Sequence, residues 1–172
     1  MVRAEEKTVL VVEDEPDVRL FLQTVLEDAG FQVITAADGE LGWQAIVEHR
    51  PDFISLDLML PRRTGHRLLR DLRADRELAQ IPLVIVTAHA DDELGRDDPG
   101  GVLNSIVAEG PGKLLRKPVR PIDFVRCVQQ ALGIEPSAEV EDKLDLKGQM
   151  QELMGDAEPD ALRAALAELR KR

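Results

Sequence analysis

The amino-acid sequence predicts an α/β fold, a doubly wound parallel sheet of five strands with helices on both faces, followed by a short helical extension. Short apolar runs rich in β-branched residues alternate with helically spaced apolar residues through the first 134 residues. The chain has 172 residues, of which 44% are hydrophobic, so it can bury one substantial core. After residue 134 only helical patterns follow. We therefore expect one domain over residues 1–134 and a helical tail over residues 135–172.

The first strand and the first helix are predicted by the spacing of their apolar residues. Residues 9–12 are a short run of valine and leucine, which is typical of a strand buried on both faces. Pro16 begins a helix, and Gly30 stands where its C-terminal cap belongs. The same patterns predict strands at 31–34, 53–56 and 83–86 and helices at 39–48 and 65–76. In the helix at 39–48, the apolar residues expected on one side are Leu41, Ala45 and Ile46.

The last part of the predicted sheet follows an irregular segment. Residues 91–112 contain a Pro-Gly-Gly and a Gly-Pro-Gly sequence, which break any long helix and leave at most a short one near residues 102–108. Leu114 and Leu115 then mark a fifth strand, and residues 121–132 have the apolar spacing of a closing helix.

The tail is acidic and helical. It carries 10 acidic and 6 basic residues, and we expect helices at about 139–154 and 159–170. Gly155 ends the first helix and Pro159 begins the second. Their apolar stripes are Leu146, Met150 and Leu153 in the first and Leu162, Ala165, Leu166 and Leu169 in the second. These stripes indicate either docking on the domain or contact with a second copy or a partner. A recognisable effector domain is not present in the tail.

Composition excludes several classes of function. The formal net charge is −11, and no run of Lys and Arg offsets it, so we do not expect direct binding to nucleic acid. No apolar run approaches the roughly 18 residues of a membrane span. Residues 1–7 are charged, unlike a signal peptide. A single cysteine, Cys127, fits a reducing compartment, and we expect a cytoplasmic protein.

Polar residues follow four of the predicted strands directly. Glu13 and Asp14 follow the first strand, Asp57 the third, Thr87 the fourth and Lys117 the fifth. Because ligands of an open parallel sheet bind beyond the carboxyl ends of its strands, we expect these side chains to converge at one edge.

This set of residue types suits phosphoryl transfer onto a carboxylate. Three converging carboxylates repel one another unless a cation lies between them, and Mg²⁺ is the hard, oxygen-seeking cation that fits. The metal would neutralise the incoming phosphoryl oxygens beside Asp57. Lys117 can pair with Asp57 at rest and with a phosphoryl oxygen afterwards, and Thr87 can donate a hydrogen bond to another of those oxygens.

Four motifs together resemble the signature of the receiver domains of bacterial two-component response regulators. They are Glu13-Asp14, the Asp57-Leu-Met-Leu-Pro stretch with Gly65, Thr87-Ala88 and Lys117-Pro118. The resemblance covers about residues 5–134. It implies a flavodoxin-like sheet with strand order 2-1-3-4-5.

The resemblance also implies roles for individual residues. Asp57 would be the phosphoacceptor, and the donor would be a phosphohistidine on a sensor histidine kinase or a histidine phosphotransfer protein. Mg²⁺ would be bound by Asp14, Asp57 and the backbone carbonyl of Met59, with Glu13 acting through water. The Lys117–Pro118 peptide bond would be cis.

The sequence departs from the family pattern in the residues that transmit and time the signal. Leu114 stands three positions before the lysine, where receivers usually place a switch aromatic, and the segment from Thr87 to Lys117 is longer than usual. Met59 and His89 flank the pocket and carry no carboxylate or amide to position an attacking water, which predicts a phosphoryl group that persists for minutes or more. Ala88 is small and leaves room for the donor.

The leading hypothesis is a phosphorylation-switched binding module that acts through contacts with an unidentified downstream protein, either alone or as a homodimer. It is not expected to be an enzyme beyond accepting and losing its own phosphoryl group. One alternative is a Mg²⁺-dependent phosphohydrolase with an aspartyl-phosphate intermediate, although such enzymes place a second acid where Met59 stands. A phosphorelay intermediate is the other alternative, and it needs the same pocket as a terminal switch.

Overall fold

The computed structural model of the chain describes residues 1–88, 101 and 114–154. His89, nearly all of the predicted irregular segment 91–112, and the predicted tail helix at 159–170 lie outside the described residues.

The described residues form five strands and five α-helices. The strands are β1 (Thr8–Val12), β2 (Gln32–Ala36), β3 (Phe53–Leu56), β4 (Leu83–Thr87) and β5 (Leu114–Arg116). The helices are α1 (Pro16–Asp28), α2 (Gly39–His49), α3 (Gly65–Ala74), α4 (Pro121–Leu132) and α5 (Ala138–Met154). Single 3₁₀ turns stand at Ala4–Glu6 and Leu78–Gln80.

The sheet is parallel throughout, with strand order β2-β1-β3-β4-β5, which confirms the predicted topology. The register of the strands determines which residues lie next to one another at the carboxyl edge of the sheet. Val12 is paired with Leu56, so Glu13 and Asp57 leave neighbouring strands side by side. Thr87, the last residue of β4, is paired with Arg116, directly before Lys117.

Each face of the sheet carries its own apolar core. In β1, Leu10 and Val12 belong to the cluster under α2 and α3, whereas Val9 and Val11 belong to the cluster under α1, α4 and α5. This alternation explains why the β1 run is apolar at successive positions. Burying a large aliphatic side chain contributes about 1.5–3 kcal/mol, so both faces must stay covered.

One predicted helix face is wrong at Leu41. The Leu41 side chain is exposed, and α2 approaches the sheet through Gly42 and Ile46 instead. A Cβ on Gly42 would lie 2.9 Å from Cγ1 of Val12, so only glycine allows α2 to approach so closely. Several boundaries also differ by one or two residues; for example, β2 spans Gln32–Ala36 rather than 31–34, and α3 ends at Ala74 rather than residue 76.

The helix α5 packs against α4 through residues other than those predicted. Leu144 is 1% exposed and lies in the core with Val140 against it, whereas Leu146 is 60% exposed and Met150 is half-buried. The predicted stripe is therefore wrong at Leu146, and the Leu153 side chain lies outside the described residues.

Polar contacts fix the direction of α5. Glu141 pairs with Arg126 at 2.8 Å, and a Cβ on Gly148 would lie 3.7 Å from Pro121, so α5 runs antiparallel to α4. Lys147 pairs with Asp28 at the end of α1. The turn between α4 and α5 begins at Gly133 with a φ of 66°. Within the described ranges, no helix has the length and apolar character needed to cross a membrane.

Candidate functional site

Three carboxylates converge at the carboxyl edge of the sheet. Glu13 and Asp14 lie in the β1–α1 loop (residues 13–15), and Asp57 begins the β3–α3 loop (residues 57–64). One carboxylate oxygen from each of the three residues lies within 4.8 Å of those from the other two. Glu13 and Asp57 are buried, and Asp14 is half-buried. Such a group of oxygens has the composition of a site for a hard divalent cation.

Lys117 reaches into the same cluster from the end of β5. Its Nζ lies 2.8 Å from Oε2 of Glu13, 3.0 Å from Oδ2 of Asp57 and 3.4 Å from Oε1 of Glu15. Its backbone N–H donates to the carbonyl of Thr87 at 3.0 Å. The Lys117–Pro118 bond is cis, as the resemblance implies. One ammonium group therefore faces four carboxylates when Asp14 is included.

The protonation of the cluster reflects this shortage of positive charge. Burial and, to a smaller extent, the negative charge of Asp57 raise the pKa of Glu13, and Lys117 opposes them; the net result is a pKa of about 7. Burial alone would lower the pKa of Lys117, but its hydrogen bonds to Glu13 and Asp57 outweigh burial and hold that pKa above its ordinary value. Lys117 is thus a permanent cation, and the cluster still has negative charge that a further cation would neutralise. The residues present therefore fit a divalent metal.

The β1–α1 loop is held by a side chain that the sequence interpretation missed. Arg19, in the first turns of α1, donates from Nη1 to the carbonyl oxygens of Glu13 at 2.9 Å and Asp14 at 3.3 Å. The backbone N–H of Glu15 donates to Oε1 of Glu13 at 3.2 Å. Arg19 therefore fixes the backbone that carries two of the three acids. The only sequence signal is an arginine five residues after Asp14.

The β3–α3 loop is held mainly by close backbone contacts. The N–H of Asp57 donates to the carbonyl of Val12 at 3.0 Å, and Oδ1 of Asp57 accepts a hydrogen bond from the N–H of Met59 at 3.0 Å. Gly65 donates its N–H to the carbonyl of Leu58, and a Cβ at Gly65 would lie 2.3 Å from the carbonyl oxygen of Asp57. The start of α3 is consequently packed directly against the backbone of Asp57.

The end of the same loop is braced against α2. A Cβ at Gly39 would lie 1.7 Å from the carbonyl oxygen of Arg63, so α2 and the loop touch through backbone. The Arg63 guanidinium lies 4.3 Å from the ring centroid of Trp43 and pairs with Asp71 and Glu40. Its side chain is only 12% exposed. Arg63 therefore ties α2, the loop and α3 together.

Four of the remaining predicted site residues lie in the described part of the chain. Thr87 is fully buried at the end of β4, and Ala88 after it is exposed. Leu114 is half-buried and packs on the core under α2 and α3. Met59 is 59% exposed at the rim of the site. His89 lies outside the described residues.

Comparison with known proteins identifies the family to which this fold belongs. The family model of the response regulator receiver domain matches residues 9–98. The chain belongs to the response regulator receiver family. Members of that family are signalling domains of two-component systems rather than classical enzymes.

Individual relatives agree with this assignment. The chain is 35% identical over 99 residues to the phosphate regulon transcriptional regulatory protein PhoB of Pseudomonas aeruginosa, covering 54% of this chain and 43% of that protein. It is 38% identical over 86 residues to response regulator Rre1 of Synechocystis, covering 49% of this chain and 37% of that protein. The chain thus spans less than half of the length of these curated relatives.

Solved receiver structures match nearly end to end. The receiver domain of sensor histidine kinase PA1611 from Pseudomonas aeruginosa, described with a magnesium ion coordinated in its active site cleft, superposes with a TM-score of 0.61 at 27% identity, covering 74% of this chain and 98% of that one. Chemotaxis response regulator CheY4 of Vibrio cholerae gives a TM-score of 0.60 at 26% identity, covering 73% and 98%.

Proposed function

We propose that this chain accepts a phosphoryl group on Asp57 from the phosphohistidine of a sensor histidine kinase or histidine phosphotransfer protein, and then signals through contact with a downstream protein. The observation that carries the proposal is the position of Asp57. It lies at the carboxyl edge of a receiver sheet, 3.0 Å from Lys117 and within a cluster of three carboxylates. In this proposal residues 1–134 are the receiver and residues 135–172 are an added helical segment.

Mg²⁺ belongs to the proposal because the acidic cluster fits it. Asp14, Asp57 and the backbone carbonyl of Met59 would hold the ion, with Glu13 acting through water. When bound, Mg²⁺ supplies positive charge to the oxygens of the phosphoryl group in transfer. The permanent charge of Lys117 alone does not balance the surrounding carboxylates, which supports a need for the metal.

The protein's own residues position the reacting carboxylate. Oδ1 of Asp57 is held by the N–H of Met59, and Oδ2 by Lys117. An Asp57 oxygen attacks phosphorus, the bond from phosphorus to the donor imidazole nitrogen breaks, and its electron pair returns to that nitrogen. Lys117 then transfers its hydrogen bond from the carboxylate to a phosphoryl oxygen, and the Thr87 hydroxyl donates to another.

The response to phosphorylation follows an unusual route in this proposal. Leu114 has no hydroxyl to form a new hydrogen bond, so a shift of Thr87 would be reported by repacking of Leu114 against the core under α2 and α3. Met59 offers a thioether beside the site and cannot act as a base toward water. We therefore expect a slowly hydrolysed phosphoryl group. The same thioether stands against the phosphohydrolase alternative, whereas a relay intermediate shares every feature of the pocket.

The proposal is tested with acetyl phosphate and MgCl₂ on the full chain, followed by intact mass spectrometry. We expect wild type to gain the mass of one phosphoryl group, with Mg²⁺ required, and Asp57→Asn to gain none. Asp52→Asn is the matched control, because Asp52 lies just before the opposite end of β3 and pairs with Lys7. Labelling of Asp57→Asn, or equal labelling in EDTA, would overturn the proposal.

The lifetime of the phosphoryl group is measured after acetyl phosphate is removed. We expect the extra mass to persist for minutes or more, and a half-life of seconds would contradict the expected roles of Met59 and His89. Turnover of a generic phosphoester beyond one equivalent per chain would favour the phosphohydrolase instead.

A further inference from the structure

Positive charge is concentrated in one short segment of this acidic chain. Residues 62–76 contain six of the 16 arginines, no lysine and only two acids, so the segment carries +4 while the whole chain carries −11. Apolar residues at helical spacing separate the arginines, so the sequence shows no continuous basic run. Two of the six lie in the β3–α3 loop, three lie on α3, and Arg76 follows two residues after its end.

The structure separates these arginines into two groups. Arg63 is directed inward onto Trp43, and Arg73 donates to the carbonyl of Ala79 at 2.9 Å, so both hold the fold together. The other four are exposed. We call them the arginine surface, which consists of Arg62, Arg67, Arg70 and Arg76.

The arginine surface contributes little to the stability of the fold. Arg62 and Arg67 are 74% and 64% exposed, and their nearest carboxylate oxygens lie at 3.6 Å on Asp38 and 3.9 Å on Asp71. Exposed pairs of this kind contribute at most about 1 kcal/mol each. Within residues 1–88 and 114–154, neither Arg70 nor Arg76 forms an ion pair. Arg67 also lies in the first turn of α3, where positive charge opposes the helix dipole.

Most of the arginine surface lies on elements that pack directly against the proposed phosphoacceptor, Asp57. Two of its members, Arg67 and Arg70, lie on α3, whose first residue, Gly65, packs against the backbone of Asp57 and Leu58. Arg62, with a φ of 66°, belongs to the loop that Asp57 begins. A ligand on these arginines would therefore contact the loop and the helix that pack directly against Asp57.

We propose that the arginine surface docks a short acidic segment of a protein partner, which deepens and rests on the proposed signalling role. Guanidinium groups bind carboxylates through two parallel hydrogen bonds, and all four bases are Arg rather than Lys. A ten-residue helix such as α3 is about 15 Å long, which matches a short peptide. A nucleic acid would extend over the rest of the chain, which carries −15 and repels it.

The test is fluorescence anisotropy of a labelled ten-residue peptide of glutamate and aspartate against the unphosphorylated full chain at low salt. We expect Arg67→Gln/Arg70→Gln to weaken peptide binding about tenfold, because each substitution removes one exposed charge pair. The control is Arg3→Gln/Arg120→Gln, which removes the same charge from exposed sites away from α3 and should change binding less than about twofold.

Equal weakening in both double variants, or no detectable binding of the peptide, would overturn the proposal. Tighter binding of a single-stranded oligonucleotide than of the peptide would also overturn it, in favour of a nucleic-acid surface. Because the measurement does not require phosphorylation, its failure leaves the proposed role of Asp57 untouched, and a failure of Asp57 labelling leaves the peptide result standing.

Discussion

The β1–α1 loop and the β3–α3 loop bring carboxylates to the same point but are held there by different means. Arg19 holds the first loop with hydrogen bonds to two carbonyl oxygens. Close backbone contacts hold the second, at Gly65 against Asp57 and at Gly39 against Arg63. The first loop can adjust to a substitution because the Arg19 side chain can change its conformation. The second loop cannot adjust in this way, because backbone atoms rather than side chains are in contact. The second loop, which carries the proposed phosphoacceptor Asp57, is the less tolerant of change.

Gly65→Ala should cause the largest loss of stability among the variants of these two loops. The new Cβ would lie 2.3 Å from the carbonyl oxygen of Asp57 and 2.5 Å from Cα of Leu58, so backbone must shift. We expect the free energy of unfolding, measured in urea, to fall by about 3 kcal/mol. Gly148→Ala is the control, since its Cβ meets Pro121 at an ordinary 3.7 Å in the interior of α5 and should stabilise by about 1 kcal/mol. Wild-type stability of Gly65→Ala would contradict the backbone contact.

Arg63→Met should have the next largest effect. It removes the charge that lies over Trp43 and leaves Asp71 with only the distant Arg67. We expect a loss of about 2 kcal/mol. Trp43 is the only tryptophan, so its emission should report the change directly. An unchanged spectrum together with unchanged stability would show that α2 and the loop do not depend on this contact.

Arg19→Gln should loosen the first loop with a smaller cost in stability, about 1 kcal/mol. Because the backbone of Glu13 and Asp14 is then less fixed, the affinity for Mg²⁺ in calorimetric titration should fall about fivefold, equivalent to about 1 kcal/mol.

Arg73→Gln is the matched control for Arg19→Gln. It removes the same type of guanidinium-to-carbonyl bond, at 2.9 Å to Ala79, but far from the acids. It should lose similar stability without losing affinity for Mg²⁺. Parallel losses of affinity in both variants would argue against a positioning role for Arg19.

Arg62→Gln should have the smallest effect. The side chain is 74% exposed and 3.6 Å from Asp38, so its loss should change the free energy of unfolding by less than about 0.5 kcal/mol. Comparison with Arg63→Met then distinguishes the role of Arg63, which stabilises the fold, from that of Arg62, which belongs to the arginine surface. A loss as large as that of Arg63→Met would require a structural role for Arg62.

The meeting of Glu13, Asp14, Asp57 and Lys117 was predictable because it follows from one geometric rule, whereas the strand order was implied by the family resemblance. Parallel strands end at one edge, so the residue after each apolar run is placed there whatever the helices do. The cis Lys117–Pro118 bond followed from the family resemblance rather than from this rule.

The contacts that hold the site were not predictable, because they depend on the paths of long side chains. Nothing in the sequence distinguishes Arg19, which bends back to two carbonyls, from Arg67, which remains exposed. Leu144 and Leu146 are equally apolar, yet only the first is buried, because the angle at which α5 crosses α4 is set by tertiary packing. Leu41 was wrongly placed on the buried side of α2 for a similar reason, since close helix–sheet packing selects the smallest residue, Gly42.

The position of α5 has a consequence for any protein that binds the outer surface of α4. Leu144 already occupies that surface, and five residues, 133–137, join its helix to α4. A tether this short gives a local concentration in about the millimolar range. Any protein that binds this surface of α4 must therefore displace Leu144 and its neighbours against that local concentration.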